Sequence, residues 1–277
     1  MSATAGTSSP VAARAATGGI PWQLLMPAAA GAAILVLPVA GLLLRTPWAS
    51  VPDRLGEPAV LDALRLSLLT ATAATGCCLV VGTPLAWLLA RTAMPGRRTL
   101  RVLVTVPLVL PPVVGGVALL TVFGRNGMIG RWLDDAVGLS LPFTTPGVVV
   151  AQTFVALPFL VLAVEGALRS ADPRFDDLAA TFGASRWQIF RRVTLPLAAP
   201  GLLSGAVLAW ARALGEFGAT ITFAGSYPGT TRTMPLAVYT ALGVDLDSAV
   251  VLSVVLLAVS VAVLALLRGR WLSGIAS

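Results

Sequence analysis

Of the 277 residues, 57% are hydrophobic and only 11% charged, far below the roughly one-quarter charged share of a soluble domain, so the chain reads as an integral membrane protein. All 19 basic residues are arginine, with no lysine and no histidine, which excludes lysine Schiff-base chemistry and histidine-based catalysis or metal binding. The net charge of +7 is assigned to arginines that hold loops on the cytoplasmic side, not to nucleic acid.

Residues 1–19 are small and polar with one arginine and are expected to form a disordered cytoplasmic tail, ahead of one transmembrane domain over 20–277. Six apolar runs, near 22–44, 63–90, 102–123, 147–168, 198–223 and 248–267, meet the roughly 20 helical residues needed to cross about 30 Å of hydrocarbon. The first exceeds a signal-peptide core of roughly 7 to 15 residues and is expected to stay as a span. Cys77 and Cys78 are adjacent within the second run, where they cannot build a disulfide framework or a metal cage, and are read as packing residues.

Arg91, Arg97, Arg98 and Arg101 cluster between spans two and three, and Arg169, Arg174, Arg186, Arg191 and Arg192 between spans four and five. Both loops are therefore expected to be cytoplasmic. Arg14, Arg268 and Arg270 agree, giving twelve arginines inside against six at the outer ends and loops, and placing both termini inside. Span three, with Pro107, Pro111, Pro112, Gly115 and Gly116, has the most interrupted backbone. Two readings stand for it: a cavity-lining break, or a packing kink whose small residues admit a close neighbour. Glu165 precedes Arg169 by one helical turn, which predicts a structural ion pair.

Between spans four and five lies a polar segment with its own folding signals. Asp172 and Pro173 read as an N-cap and first helical residue. Phe175, Leu178, Ala179 and Phe182 make one apolar stripe, with Asp176 and Asp177 at the anion-favouring end of the helix. Gly183 ends that helix in the left-handed conformation. Ser185 and Gln188 form a capping box for a second short helix carrying Trp187, Ile189 and Phe190 beside Arg186, Arg191 and Arg192, and Pro196 closes the segment. Helix, glycine corner and helix, set between spans, predict a compact knob on the aqueous side. In span five, Arg212 and Glu216 stand near the middle. A charge there costs about 2.5 to 3.5 kcal/mol, so both are expected to face inward and pair, as a structural lock or as part of a gate or anion route.

The knob resembles the cytoplasmic signature of ATP-binding-cassette import permeases: an acid, two small residues, a glycine, then I-x-L-P. Here it reads Asp177-Leu178-Ala179, Gly183, then Val193-Thr194-Leu195-Pro196, with Asp for Glu, Leu178 for Ala and Val193 for Ile. ARALGEFGATITFAGSYPGTTRTMPLAVY, from Ala211 to Tyr239, together with PLVLPPVVGGVALL and AQTFVALPFLV, is similar to molybdate permeases of the molybdate and sulfate branch. Sulfate permeases share its A-R-A-x-G-E-[FY]-G core.

The resemblance implies an all-α type I importer permease with about six transmembrane helices and a coupling segment at 172–196. It implies contact with two ATPase subunits through Asp177, Leu178, Ala179, Gly183, Ala184, Ser185, Leu195 and Pro196, and a gate or pathway near Pro111, Pro112, Arg212 and Glu216. The implied partners are a second copy of the chain, an extracytoplasmic molybdate-binding protein and membrane lipid in the bacterial cytoplasmic membrane. No cofactor is expected in this chain. It lacks G-x-x-x-x-G-K-[ST], which needs a lysine, so ATP is used by a partner subunit. The expected substrate is molybdate, with tungstate a second oxyanion of similar size and charge and sulfate or thiosulfate the alternative. A membrane enzyme would need more converging titratable groups than Glu165, Arg212 and Glu216, and a passive anion channel needs no docking knob.

Overall fold

The computed structural model describes residues 22–273, and every regular element among them is helical. The tail expected at 1–19 lies outside the described residues. The chain divides into two units, Met1–Arg45 and Thr46–Ser277. The first contributes α1, Trp22–Arg45, an apolar helix with no buried residue. Its 24 residues extend about 36 Å, enough for the first expected span.

The second unit contains α2 (Pro58–Arg91), α3 (Arg97–Val109), α4 (Pro112–Phe123), α5 (Met128–Val137), α6 (Thr145–Ser170), α7 (Arg174–Thr181), α8 (Arg186–Leu197), α9 (Ala199–Leu214), α10 (Gly218–Ala224), α11 (Met234–Leu242) and α12 (Leu246–Ser273). Its core is the packing of α2, α6 and α9. Proline at the first position fixes the start of α2. The Thr144 hydroxyl accepts from the Gly147 amide at 3.2 Å and caps α6. Along the shared faces, Ala71, Ala74 and Ala86 of α2, Leu160 and Val164 of α6, and Ala209 and Ala213 of α9 are buried. Small residues set the helix spacing: a Cβ on Gly201 would lie 2.2 Å from the Ala167 Cβ, and one on Gly205 would meet the Leu160 backbone at 3.2 Å. Cys78 is buried in this core, but Cys77 is exposed. The expectation of two packing cysteines is thus half right, because consecutive helical residues point about 100° apart.

Two of the expected spans are broken, the third as its prolines signalled and the fifth without such a signal. The run at 102–123 is two helices, α3 and α4, meeting at 119°. Leu110 and Pro111 are extended, with ψ of 131° and 133°, because a residue preceding proline is driven out of the α region. The run at 198–223 ends its first helix at Leu214 and restarts at Gly218. A further bend of 70° separates α8 from α9. Among the described residues, four helices, α1, α2, α6 and the Leu246–Val263 part of α12, are long and apolar enough to cross a membrane, or up to six if each bent pair counts as one span. The short helices α5 and α11 were not expected from the apolar runs, being too brief to register as spans.

Candidate functional site: a knob and a pair of broken helices

The knob is built by local capping. Pro173 has helical angles, φ −65° and ψ −16°, and the Asp172 Oδ1 accepts from the Arg174 amide at 2.9 Å, so the aspartate caps α7 as its position requires. Gly183 has φ +80°. The Gly183 amide donates to Ala180 O at 3.0 Å and the Ala184 amide to Ala179 O at 3.1 Å, the two bonds of a Schellman corner. Both halves of the capping box form: the Gln188 amide donates to Ser185 Oγ at 3.3 Å and the Ser185 amide to Gln188 Oε1 at 2.8 Å.

Pro196 does not close the segment. It lies within α8, where a π turn over Phe190–Thr194, with the Leu195 amide bonded to Phe190 O, makes room for a ring that would crowd a regular α turn. The chain bends only after Leu197.

Aromatic and aliphatic side chains of the knob face outward: Phe182 is 89% exposed, Trp187 66%, Leu178 56% and Phe175 52%. Of the motif residues, Asp177, Gly183, Ser185 and Pro196 are exposed, and Ala179, Ala184 and Leu195 half-buried. The opposite side of the knob is fastened to the end of α2. Trp87 meets Phe190 edge-on with ring centroids 6.0 Å apart, and Phe190 stacks on Trp187 at 5.6 Å. Arg91 Nη2 donates to Ala171 O at 3.2 Å, and its Nε faces Asp176 Oδ2 across 3.7 Å. The sequence reading missed Trp87, Arg91 and Thr194. The available signal was a tryptophan and an arginine one turn apart at the end of an apolar run.

At the second location the two breaks meet. A Cβ on Gly218 would sit 2.6 Å from the Pro112 Cβ, and one on Gly116 would meet Thr222 Cβ at 2.6 Å. Only glycine lets α4 and α10 approach this closely. Arg212 and Glu216 form the expected pair, Nη1 to Oε2 at 2.6 Å. Glu216 lies at the break itself, not within a continuous span, with 1% of its side chain exposed. Its second oxygen, Oε1, accepts from the Ala219 amide at 2.8 Å. The carboxylate therefore answers a guanidinium at the end of α9 and the open amides at the start of α10.

Glu165 is buried and bonded to Arg169 Nε at 2.9 Å, as the spacing predicted. It also bonds Arg101 of α3, a partner 64 residues away that local spacing cannot reveal.

The knob and both breaks fall within residues 82–273, which match the binding-protein-dependent transport system inner membrane component. The chain belongs to this family. It is thus a multi-pass inner-membrane protein, and its relatives are permease subunits. It is 48% identical over 241 residues to the molybdenum transport system permease protein ModB of Mycobacterium tuberculosis, covering 87% of this chain and 91% of that protein. It is 42% identical over 188 residues to the sulfate transport system permease protein CysW of Escherichia coli, covering 68% of this chain and 64% of that protein. Among solved structures, a bacterial ABC transporter involved in the import of the acidic polysaccharide alginate aligns with a TM-score of 0.71 at 18% identity, over 90% of this chain and 94% of that one. At that identity the likeness carries the fold alone.

Proposed function

We propose that this chain is the membrane permease subunit of an ATP-driven oxyanion importer whose substrate is molybdate, with tungstate accepted as a close analogue. The observation that carries the reading is the 48% identity, across nine-tenths of its length, to a permease named for molybdenum transport. The match to a sulfate permease spans 64% of that protein, which makes sulfate the second reading. Residues 20–277 form the permease domain, with 1–19 a cytoplasmic tail. The arginine bias puts both termini and the knob in the cytoplasm.

Two permease copies, two separate ATPase subunits and an extracytoplasmic molybdate-binding protein make the working assembly. ATP is bound and hydrolysed by the ATPase subunits. The exposed Phe182, Trp187 and Leu178 supply the apolar surface of the knob for an ATPase groove, and the Schellman corner and capping box hold it in one shape. Asp177 adds the charge at its rim, and Ala179, Ala184, Leu195 and Pro196 shape its base. Closing of the ATPase dimer on ATP draws the two knobs together and opens the permease outward; hydrolysis returns it inward. The break at Pro111 and Pro112, packed against that at Gly215–Gly218, is the gate region, and the Arg212–Glu216 pair locks it. Competition tests the substrate: uptake of labelled molybdate should be blocked by micromolar tungstate and little affected by a large excess of sulfate. Sulfate uptake insensitive to micromolar molybdate would give the second reading.

A further inference from the structure

The acid that matches the importer signature, Asp177, is exposed and belongs to none of the ion pairs among the described residues. Its neighbour Asp176 is different. One carboxylate oxygen accepts from Thr194 Oγ1 at 3.0 Å, and Thr194 is 1% exposed. The other faces Arg91 Nε across 3.7 Å, and that nitrogen is enclosed with no hydrogen bond of its own. Asp176 thus sits between the first turn of α7, the π turn of α8 and the end of α2, three elements that the chain connects through corners at 171–173 and 182–185 and, beyond Arg91, through a long excursion. The extra residue of the π turn sets where Thr194 falls on α8; its hydroxyl also lies 3.4 Å from Ile189 O.

Elsewhere the knob does not lie flush on α2. A cleft of about 560 Å³, lined by Trp87, Arg91, Asp176, Asp177 and Arg186 among others, runs between them, so α2 is met at discrete points, Trp87 on Phe190 and Arg91 on Ala171 and Asp176, while the Asp176–Thr194 bond ties α7 to α8 within the knob. The helix they fasten to has 34 residues, about 51 Å of rod. Further along it, Thr72 accepts from Trp210 Nε1 of α9 at 3.2 Å, and buried Ser67 accepts from the Met234 amide that opens α11 at 2.7 Å.

We infer that Asp176 is a positioning residue for coupling: fixed within the knob by Thr194 and facing Arg91 of α2, it clamps the knob to α2, so that a displacement imposed on the knob is delivered to α2, and by α2 to α9 and α11. The inference rests on the reading that the knob is the ATPase-docking element. Asp176 acts behind that surface, not on it.

The test uses the full transporter, permease with its ATPase subunits and binding protein, in proteoliposomes. The readouts are complex recovery, basal ATP turnover, and the stimulation of turnover by oxyanion-loaded binding protein. Asp176→Asn keeps an acceptor for Thr194 and removes the charge facing Arg91; Arg91→Gln removes the opposite charge and leaves the Asp176–Thr194 bond in place. Both should assemble and keep basal turnover, while stimulation and uptake per ATP fall about fivefold or more, the scale of a site-to-site coupling. The reversed pair, Arg91→Asp with Asp176→Arg, should recover part of that loss. Thr194→Val, which leaves the charges in place, should show the same defect in milder form. Wild-type stimulation in Asp176→Asn, or loss of assembly in all of these variants, would overturn the inference. A wild-type complex stimulated by sulfate and not by molybdate would instead sink the substrate assignment and leave the clamp measurable with sulfate.

Discussion

Replacing Glu216 perturbs two interactions that the structure allows to be separated. Removing one partner of a buried ion pair costs about 3 to 5 kcal/mol, and partial exposure of the other partner favours the lower end; the Arg212 side chain is 28% exposed. Losing the acceptor for the Ala219 amide adds about 1 kcal/mol, the usual worth of a helix cap. Glu216→Ala should therefore destabilise by about 4 kcal/mol, near a thousandfold in the folded-to-unfolded ratio. Glu216→Gln retains the cap acceptor and should lose about 3 kcal/mol. Because Glu216 also caps α10, an apolar double replacement does not restore everything. Arg212→Met with Glu216→Gln should come within about 1 kcal/mol of wild type, whereas Arg212→Met with Glu216→Leu should remain about 1 kcal/mol lower. Equilibrium unfolding in mixed detergent micelles reads these differences. Glu216→Ala within 1 kcal/mol of wild type, or equal to Glu216→Gln, would refute the reasoning. Uptake by the Met/Gln variant then separates the roles: import retained makes the pair a lock, while a stable variant that cannot import puts it in the anion route.

Three further outcomes follow from other sites. No atom lies within 4 Å of a Cβ placed on Gly183, whose φ is +80°, so substitution there acts through backbone strain alone: Gly183→Asn should preserve ATPase assembly and Gly183→Val should weaken it, measured by co-purification, and equal recovery of the two would contradict this. Arg101→Gln should destabilise more than Arg169→Gln, by about 1 to 2 kcal/mol, because Arg101 alone joins α3 to Glu165 of α6; thermal unfolding in detergent checks the order. The hydrogen bond from the Ser248 hydroxyl, joined by those from the Asp247 and Ser248 amides and Arg54, outweighs an opposing desolvation and holds Asp245 at about 2, below its ordinary 3.8. A depressed carboxylate stabilises above its unfolded pKa and loses that contribution as pH falls through the folded value, so hydrogen-exchange protection at the start of α12 should be intact at pH 5 and lost between about pH 4 and 2. Asp245→Asn should remove this pH dependence.

Where local rules govern, the sequence was enough to read the structure. Gly183, Ser185 and Gln188 announced the knob because corners and caps are written in neighbouring residues, and the four-residue spacings of Glu165–Arg169 and Arg212–Glu216 announced both ion pairs. The apolar runs located the helices but not their breaks, since hydropathy carries no direction: Pro111 and Pro112 signalled an interruption without its 119°, and Gly215 and Gly218 went unread within an apolar run. Arg101 on Glu165, and Arg91 and Trp87 on the knob, depend on which helices pack together, a long-range property that no local spacing contains. The same holds for the meeting of Pro112 with Gly218, which brings the two breaks into one region.

The central claim is most directly tested by accumulation of labelled molybdate in proteoliposomes holding this permease and its ATPase, with binding protein outside and ATP inside. The account predicts uptake against a gradient that needs all three proteins and stops when hydrolysis is blocked. Equal entry without ATP or without the ATPase subunit would contradict it and make the chain a passive pathway.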